Sequence, residues 1–490
     1  MNDPLNLPLT PPATQAAPTL APVGGLQLQA VTPSNVSVTE SAAPQREHAM
    51  PEVPITSLKP YSPNYETAQA QIPQTCANGA MDTKAGYQLV LNLKDYNTDK
   101  NSVNESMEVF VKDHLAQLPP GTTSVDCKPL LGGGTKGVSG APVFTVHDQN
   151  GQLIGFAKGF LKHTELAEEM RAQRTIQGFG LKESATSQGL GVGKCHIQGA
   201  TPKDDKYYFL MLQSVASGKG IDDHLDAVSK SGNREEAMQV ALNAVTKTAK
   251  AMAELHTQRP SAKAAPANCK GMTLDLNSQL TTAKNVLTVK QGVKTTAKLD
   301  LPGIDLSMFT ADKPVPGDAI SALANRTNMA LAKDPGKGAV VHGDAHPGNF
   351  FYNASSGSLT MIDLPSSSRS FDGNVGLLPG AWDSELFKNR IVDSMVRIDD
   401  SGEGLTGPEV DQLQKAFDEA YVSAGGEPPT AIMRQFSQLH STLKSLARFS
   451  KLLESHPTDS IERTLIIEQI ASRIDTLKNI LANDVTATLK

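Results

Sequence analysis

The sequence predicts an α+β fold with two lobes, a β-rich lobe followed by a helical lobe. Short apolar runs that end in turn signals occupy much of residues 100–213. Apolar residues recur with the helical period over much of residues 214–490. Strands grouped ahead of helices are typical of α+β proteins, in which the sheet and the helices form separate layers.

Composition and charge narrow the class of protein. The 490 residues suffice for two or three ordinary domains, or for one two-lobed enzyme with additional segments. The net charge is −6, and no strong basic patch in the sequence indicates binding of nucleic acid. The four cysteines form no CxxC pair, so we expect neither a zinc knuckle nor a disulfide framework, which favours a reducing compartment. No apolar run reaches the roughly 18 residues that a membrane span requires.

Residues 1–75 differ from the rest of the chain. They are rich in Pro, Thr, Ala, Gln and Ser and poor in aromatic residues. Such a segment buries too little apolar surface to offset its ordering entropy, so we predict that it is disordered. Its composition resembles the secretion leaders of bacterial type III effectors, which implies a protein made in the bacterial cytoplasm that acts inside a host cell. An ordinary disordered tail fits the same composition.

The β-rich lobe is predicted to begin with a short helix at 106–118. Val143–Val146 and Leu153–Phe160 are predicted to pair as a hairpin, because a turn signal, Asp148-Gln149-Asn150-Gly151, lies between them. Tyr207–Gln213 is a further apolar strand.

A helix is predicted after the hairpin, with Thr164 as its N-cap. The helical lobe then carries a buried helix at 235–256 and helices near 275–299 and 319–333. The end of the chain, 407–490, is predicted to form two or three amphipathic helices, for example 432–453 and 461–481.

The strongest chemical signal is the pattern His342-x-Asp344-x-x-x-x-Asn349. The apolar run Ala339-Val340-Val341 before it fixes this loop on the core. Asp344 is placed to orient a hydroxyl group or to accept its proton. Asn349 offers a neutral oxygen ligand for a hard cation.

A second acidic residue follows this loop. Phe350–Tyr352 and Leu359–Ile362 are predicted to pair as antiparallel strands, with Gly357 available for a positive φ in the turn. This hairpin brings Asp363 close to Asn349, so that a carboxylate and an amide oxygen face the same Mg²⁺ ions. Asp-x₄-Asn followed by a strand-borne Asp is typical of protein kinases.

A phosphate-binding element is predicted upstream. Gly132, Gly134 and Gly137 form G-x-G-x-x-G ahead of a strand, and glycines let backbone amides approach phosphates closely. Glycine-rich turns are common, so this pattern alone is weak evidence. A strand and not a helix follows, which excludes a Rossmann fingerprint.

Lys158 ends an apolar strand and is the candidate cation for the α- and β-phosphates of ATP. A solvated lysine at the end of a strand is the alternative. A phosphate-binding lysine needs a glutamate on the next helix to position it. Glu169 is the first choice, with Glu165 and Glu168 as alternatives.

Met211 and Leu212 are predicted to lie in the segment between the lobes, where backbone groups would hold adenine. Their side chains fit a plain core role equally well, and we interpret them so.

The motif His342-Gly-Asp344-x-His346-x-x-Asn349 followed by Ile-Asp363 resembles the aminoglycoside phosphotransferase and choline kinase group of the kinase-like superfamily. The resemblance is specific over residues 340–363 and looser over 130–260. It implies a two-lobed protein-kinase-like fold, with the catalytic loop within 340–364. It also implies ATP and Mg²⁺ as cofactors, and transfer of the γ-phosphoryl group to the hydroxyl group of a small molecule.

The resemblance assigns roles residue by residue. It implies that Asp344 is the catalytic base and that Asn349 and Asp363 bind magnesium. The chain departs from the family pattern after Asp363, where Leu-Pro-Ser-Ser-Ser follows. Asp372 and Asp383 are candidates for the later acidic positions of the family, and the departure leaves the acceptor open.

Two other functions compete with a small-molecule phosphotransferase. One is a protein kinase or other nucleotide-dependent transferase that modifies a host protein. The other is a pseudokinase interaction module, which the complete polar set of Lys158, Asp344, Asn349 and Asp363 argues against. Neither 258–338 nor 381–490 contains a strongly acidic run of the kind that binds a cationic aminoglycoside.

Overall fold

The structure of the chain is a computed structural model. It describes residues 93–96, 103–130, 142–197, 206–258, 276–291, 294–297, 301, 304–309, 319–364, 378–392, 404–455 and 461–487. Residues 1–75 lie outside these ranges, so the leader and its disorder stay predictions. Gly132, Gly134 and Gly137 also lie outside them. None of the helices in the described ranges combines the length and the apolar character that a membrane span requires.

The first lobe is built on a five-stranded antiparallel sheet with the strand order β1-β2-β3-β6-β5. Its strands are β1 (Val125–Pro129), β2 (Val143–Asp148), β3 (Leu153–Phe160), β5 (Gly189–Ile197) and β6 (Lys206–Ser214), with the short β4 (Ala185–Thr186) pairing elsewhere. The predicted hairpin is confirmed as β2–β3. Its turn is held by Asp148 Oδ1, which accepts hydrogen bonds from the backbone N–H groups of Asn150 and Gln152, both at 2.8 Å.

Two helices flank this sheet, α1 (Val103–Asp113) and α2 (His163–Gly178). α1 packs closely against β5, where a Cβ atom at Gly193 would lie 3.1 Å from the ring of Phe110 on α1. The helix predicted after the hairpin is confirmed, but its predicted cap is wrong. The N-cap residue is Lys162 and makes no side-chain cap bond, so Thr164 lies within the first turn.

The second lobe is helical, which confirms the α+β order. Its helices are α3 (Ile221–Lys230), α4 (Arg234–Thr257), α5 (Asn277–Leu287), α6 (Ala319–Lys333), α7 (Gly380–Val392), α8 (Gly407–Ser423), α9 (Ala431–Ser455) and α10 (Ile461–Ala482). The helix predicted near 275–299 is wrong in its second half. There, β8 (Thr288–Gln291) and β9 (Lys294–Ala297) form a hairpin, because β-branched residues favour strands and oppose a helix.

Short strands hold in place the segment that carries His342, Asp344 and Asn349. β10 (Gly338–Ala339) pairs with β13 (Leu378–Pro379). The predicted second hairpin is confirmed as β11 (Phe350–Tyr352) and β12 (Leu359–Met361). This hairpin lies in a four-stranded sheet, flanked by β7 (Lys219–Gly220) on one side and by β4 on the other. The strand β4 comes from the first lobe, so the sheet joins the motif to both lobes.

Candidate active site

The hairpin places the two halves of the motif next to each other. Phe350 pairs with Met361, and the backbone N–H of Ile362 donates to the carbonyl of Asn349 at 3.0 Å. Asp363 follows directly. Gly357 in the turn has φ 69°, as its glycine predicts. The structure therefore brings Asp363 beside Asn349 across the hairpin.

The loop before the hairpin presents Asp344 to solvent and holds Asn349 in place. The side-chain nitrogen of Asn349 donates to the Asp344 carbonyl at 2.9 Å, and the backbone N–H of Asn349 donates to the His346 carbonyl at 2.9 Å. Asn349 is 4 % exposed, whereas the Asp344 side chain is 45 % exposed. The Asn349 amide is thus fixed on the loop through its nitrogen, and its oxygen is left for a ligand. The Asp344 carboxylate is open to solvent.

Asp363 forms an ion pair with Lys158 across the two lobes. The Lys158 Nζ lies 2.5 Å from Asp363 Oδ1. Burial alone would raise the pKa of Asp363, but the charge and hydrogen bond of Lys158 outweigh it, so the pKa lies below its usual range. The φ of Asp363 is 59°, in the left-handed region that Asp tolerates better than most residues. The two strongest predicted phosphate and metal residues are therefore in direct contact.

Glu169 on α2 lies behind this pair and is fully buried. Its Oε1 accepts a hydrogen bond from Gln173 at 2.9 Å, and its Oε2 has no partner among the residues that the structure describes. Burial raises the pKa of Glu169, although the charge of Lys158 opposes that rise. Burial lowers the pKa of Lys158, but Asp363 first and Glu169 second act more strongly together, so the net pKa is raised.

The other two glutamates on α2 have different surroundings. Glu165 forms an ion pair with Lys162 at 3.5 Å on the surface of the helix. Glu168 also takes part in a polar or electrostatic interaction, so it is not a free carboxylate. The geometry therefore favours Glu169 among the three, although the partner at hydrogen-bond distance from Lys158 is Asp363.

The residues fit a magnesium–nucleotide complex better than a free metal ion. Within the described ranges, no group of three or more His, Cys, Asp and Glu side chains is arranged to hold a metal. Mg²⁺ in kinase-type sites takes one or two protein oxygens and completes its shell with water and phosphate oxygens. Asn349 and Asp363 would supply those protein oxygens, and Lys158 would be available for the phosphates once Asp363 binds the metal.

Asp383, on the first turn of α7, binds the backbone of the loop that carries Asp344. It is completely buried and accepts hydrogen bonds from the backbone N–H groups of His342 at 2.7 Å and Gly343 at 3.0 Å. Its Oδ2 also lies 3.2 Å from His256 Nε2, and His256 Nδ1 lies 2.7 Å from the Tyr421 hydroxyl. From the sequence, Asp383 was predicted only as a candidate for a later acidic position of the resembling family. The structure makes it a positioning residue for the loop and leaves Asp372 outside the described residues.

We expect Asp383→Asn to destabilise the protein by about 3 kcal/mol or more, because an amide nitrogen then faces buried backbone N–H groups that lose their acceptor. Urea unfolding followed by circular dichroism measures the loss. Asp411→Asn, at an exposed position on α8, is the matched control and should change stability by less than about 0.5 kcal/mol. Equal unfolding midpoints for the two variants would contradict the anchoring role.

A further carboxylate borders the loop and was not singled out from the sequence. A Cβ atom at Gly348 would lie 3.0 Å from Asp222 Oδ2, on the first turn of α3. Burial first, and then the neighbouring Asp223, raise the pKa of Asp222. The close approach explains why glycine occupies position 348.

The structure corrects the position of the predicted adenine contact. Met211 and Leu212 are fully buried, and they pair with β3 on one side and β5 on the other. Their backbone groups are therefore engaged in the sheet, and their side chains belong to the core. The segment that leaves the sheet begins after Ser214, so residues 215–218 replace them as the candidate.

The chain is similar in backbone course to solved structures of small-molecule kinases. One is a choline/ethanolamine kinase family protein from Mesorhizobium loti, at 15% identity over 77% of this chain and 98% of that chain, with a TM-score of 0.38. Another is the choline kinase of Cryptosporidium parvum, at 11% identity over 77% of this chain and 96% of that one, with a TM-score of 0.41.

A third is a spectinomycin phosphotransferase in complex with ADP and spectinomycin. Its identity is 11%, over 72% of this chain and 92% of that chain, with a TM-score of 0.41. No family model matches the chain, and no curated protein matches it. These likenesses concern the course of the backbone alone, and the chemistry rests on the geometry of the site.

Proposed function

We propose that the chain transfers the γ-phosphoryl group of ATP to the hydroxyl group of a small molecule, with Mg²⁺ as the metal. One observation carries this proposal. A single loop and hairpin bring Asp344, Asn349 and Asp363 together, and the sheet of the other lobe brings Lys158 into contact with Asp363 at 2.5 Å. The meeting of residues that are far apart in the chain supports the proposal, because phosphoryl transfer needs a residue that orients the acceptor, metal ligands and a phosphate-binding cation.

Each residue has a separate role in this proposal. The half-exposed Asp344 orients the acceptor hydroxyl and accepts its proton as the new O–P bond forms and the bond to ADP breaks. Asn349 and Asp363 hold the metal, which neutralises charge on the phosphates. Lys158 binds the α- and β-phosphates, and the buried Glu169 stabilises its charge through space.

The other parts of the nucleotide site are proposed from the sequence for the glycines and from the fold for the adenine contact. Gly132, Gly134 and Gly137 are proposed to cover the phosphates. Residues 215–218, directly after β6, are proposed to hold adenine. The half-exposed loop position of Asp344 leaves room for a small molecule or for a hydroxyl side chain of a host protein.

The experiment that tests this proposal is transfer of label from γ-labelled ATP. The purified chain is incubated with Mg²⁺ and, separately, with a metabolite extract and a protein extract. Label in a small molecule is the expected result, and label in a protein would instead establish a protein kinase. The absence of any Mg²⁺-dependent transfer or ATP hydrolysis would contradict the proposal. The pseudokinase interaction module would then be the remaining alternative.

Replacement of Lys158 by Met is expected to lower turnover by about 10²-fold or more, because it removes the phosphate-binding cation and keeps the apolar stem. Stability should fall only modestly, since the Lys158 side chain is 23 % exposed and its partner Asp363 stays near solvent. Steady-state kinetics and a thermal melt measure the two effects. Lys162→Met, an exposed change four residues on, is the control. A fully active Lys158→Met would contradict the assignment.

A further inference from the structure

A small polar niche lies above Gly348, in the turn Pro347–Asn349 of the loop that carries Asp344. The position that a Cβ atom would take at Gly348 lies 3.0 Å from Asp222 Oδ2 and 3.3 Å from His346 Nδ1. The carboxylate of Asp222, on α3, and the ring of His346 therefore converge on a space that glycine leaves open. A hydroxyl group in this space would meet an acceptor on one side and a ring nitrogen on the other.

The niche is open to solvent. Asp222 is exposed, and the His346 side chain is 37 % exposed. Asp222 Oδ1 accepts a hydrogen bond from the backbone N–H of Asp223 at 3.1 Å, and Oδ2 is the oxygen that faces Gly348. A ligand can therefore reach Asp222 Oδ2 from outside the protein.

The surrounding strands put the niche between the proposed adenine segment and a proposed metal ligand. Residues 215–218 lead directly into β7, which pairs with β11 through Gly220 and Phe351. Asp222 follows Gly220 by two residues, and Asn349 precedes Phe351 by two. α3 also packs against the turn that ends at Asn349. The Asp222 carboxylate thus lies on the path from the end of the adenine segment to Asn349.

The order of the groups in ATP matches this path, because the ribose links adenine to the phosphates. Ribose presents two neighbouring hydroxyl groups, and an ionised carboxylate accepts hydrogen bonds from such donors. An acidic residue also holds the ribose in dinucleotide-binding folds. We propose that Asp222 binds the hydroxyl groups of the ATP ribose in the niche above Gly348, and that it thereby selects ribonucleotides over deoxyribonucleotides. The inference rests on the proposed function, because it adds the sugar contact to the nucleotide site of that reaction.

A purely structural role for Asp222 makes a different prediction. A carboxylate in the first turn of a helix stabilises that helix through the helix dipole. Its loss would then lower stability and weaken the binding of all nucleotides alike. The ratio of the affinities for ATP and for its deoxy analogues separates the two roles, because only a contact with the sugar hydroxyl groups changes that ratio.

Calorimetric titration of the full chain with ATP, 2′-deoxy-ATP and 3′-deoxy-ATP tests this inference. Mg²⁺ is present and no acceptor is added, so that the nucleotide is the only source of sugar hydroxyl groups. ATP should bind about tenfold more tightly than at least one deoxy analogue, because removal of a hydroxyl group leaves the charged acceptor without its donor. The two analogues show which hydroxyl group Asp222 contacts.

Two variants locate the contact. Asp222→Ala should lower the affinity for ATP about tenfold and change that for the deoxy analogue by no more than about twofold, so that the preference is lost. Gly348→Ala should also reduce the preference, because its methyl group fills the niche. Asp223→Ala is the matched control on the same turn. The Asp223 carboxylate accepts a hydrogen bond from the backbone N–H of Gly220 at 3.2 Å, so its loss should keep the preference even where it lowers the melting temperature.

Equal affinities of the parent chain for ATP and both deoxy analogues would overturn the inference, and so would an Asp222→Ala variant that keeps the full preference. Loss of the preference in Asp223→Ala to the same extent as in Asp222→Ala would overturn the location. A parent chain that binds none of the nucleotides with Mg²⁺ is a different result, because it would contradict the proposed function and the inference with it.

Discussion

Asp344→Asn is expected to lower kcat by about 10²–10⁴-fold while Mg·ATP binding is retained. The amide keeps the shape of the side chain but cannot accept the proton of the acceptor hydroxyl. Asp344 makes no ion pair with Lys158, and its side chain is 45 % exposed, so its loss should not disturb the phosphate and metal residues. Steady-state kinetics with the labelled acceptor and a thermal shift with Mg·ATP measure the two quantities.

Asp334→Asn is the matched control for this change. It replaces an exposed carboxylate just after α6, outside the candidate site, and should leave kcat within twofold or so of the parent value. If Asp344→Asn left turnover unchanged, the Asp344 carboxylate would have no role in the reaction. A loss of Mg·ATP binding equal to its loss of turnover would assign it to the nucleotide site instead.

Asp363→Asn is expected to abolish the Mg²⁺-dependent part of ATP binding, because the main carboxylate ligand of the metal is removed. Asn is a sharper test than Ala at this position. The φ of Asp363 is 59°, a conformation that Asn adopts with little strain, whereas Ala would add roughly 1 kcal/mol of backbone strain. The Asn variant thus tests the loss of the negative charge at position 363 without added backbone strain.

Thermal shifts with ATP alone, with Mg·ATP and with Mg·ATP plus EDTA measure this effect. The parent should lose its Mg²⁺-dependent shift on addition of EDTA, and Asp363→Asn should show none before it. Asp334→Asn again serves as the control. A variant at 363 whose Mg·ATP shift equals that of the parent would show that the carboxylate is not a metal ligand.

The local parts of the site were predictable from sequence. The hairpin from Phe350 to Met361 follows from two apolar runs around a glycine-containing turn, and the hairpin alone decides that Asp363 lies beside Asn349. Lys158 was predictable for a similar reason, since it lies in a strand whose pairing is set by a turn signal, although the strand continues to Phe160 and does not end at Lys158.

The parts that depend on distant segments were not predictable. Asp383 lies 41 residues after His342, and nothing in their spacing indicates that its carboxylate binds the backbone of the loop. The contact of Lys158 with Asp363 joins residues 205 apart, and a glutamate on α2 was the expected partner. Met211 and Leu212 were assigned to the adenine contact because the sequence of an apolar strand does not show whether its backbone groups are free. In the structure these groups are paired with strands on both sides.

The network around Asp383 has a consequence for the synthesis of the protein. A nascent chain that has reached residue 364 already contains Lys158, Asp344, Asn349 and Asp363, but it lacks the carboxylate that binds the backbone of His342 and Gly343. The hydroxyl that contacts His256, at Tyr421, is made later still. We therefore expect the ribosome-bound chain to stay inactive until α8 has emerged, because the candidate site would lack its buried anchor before then.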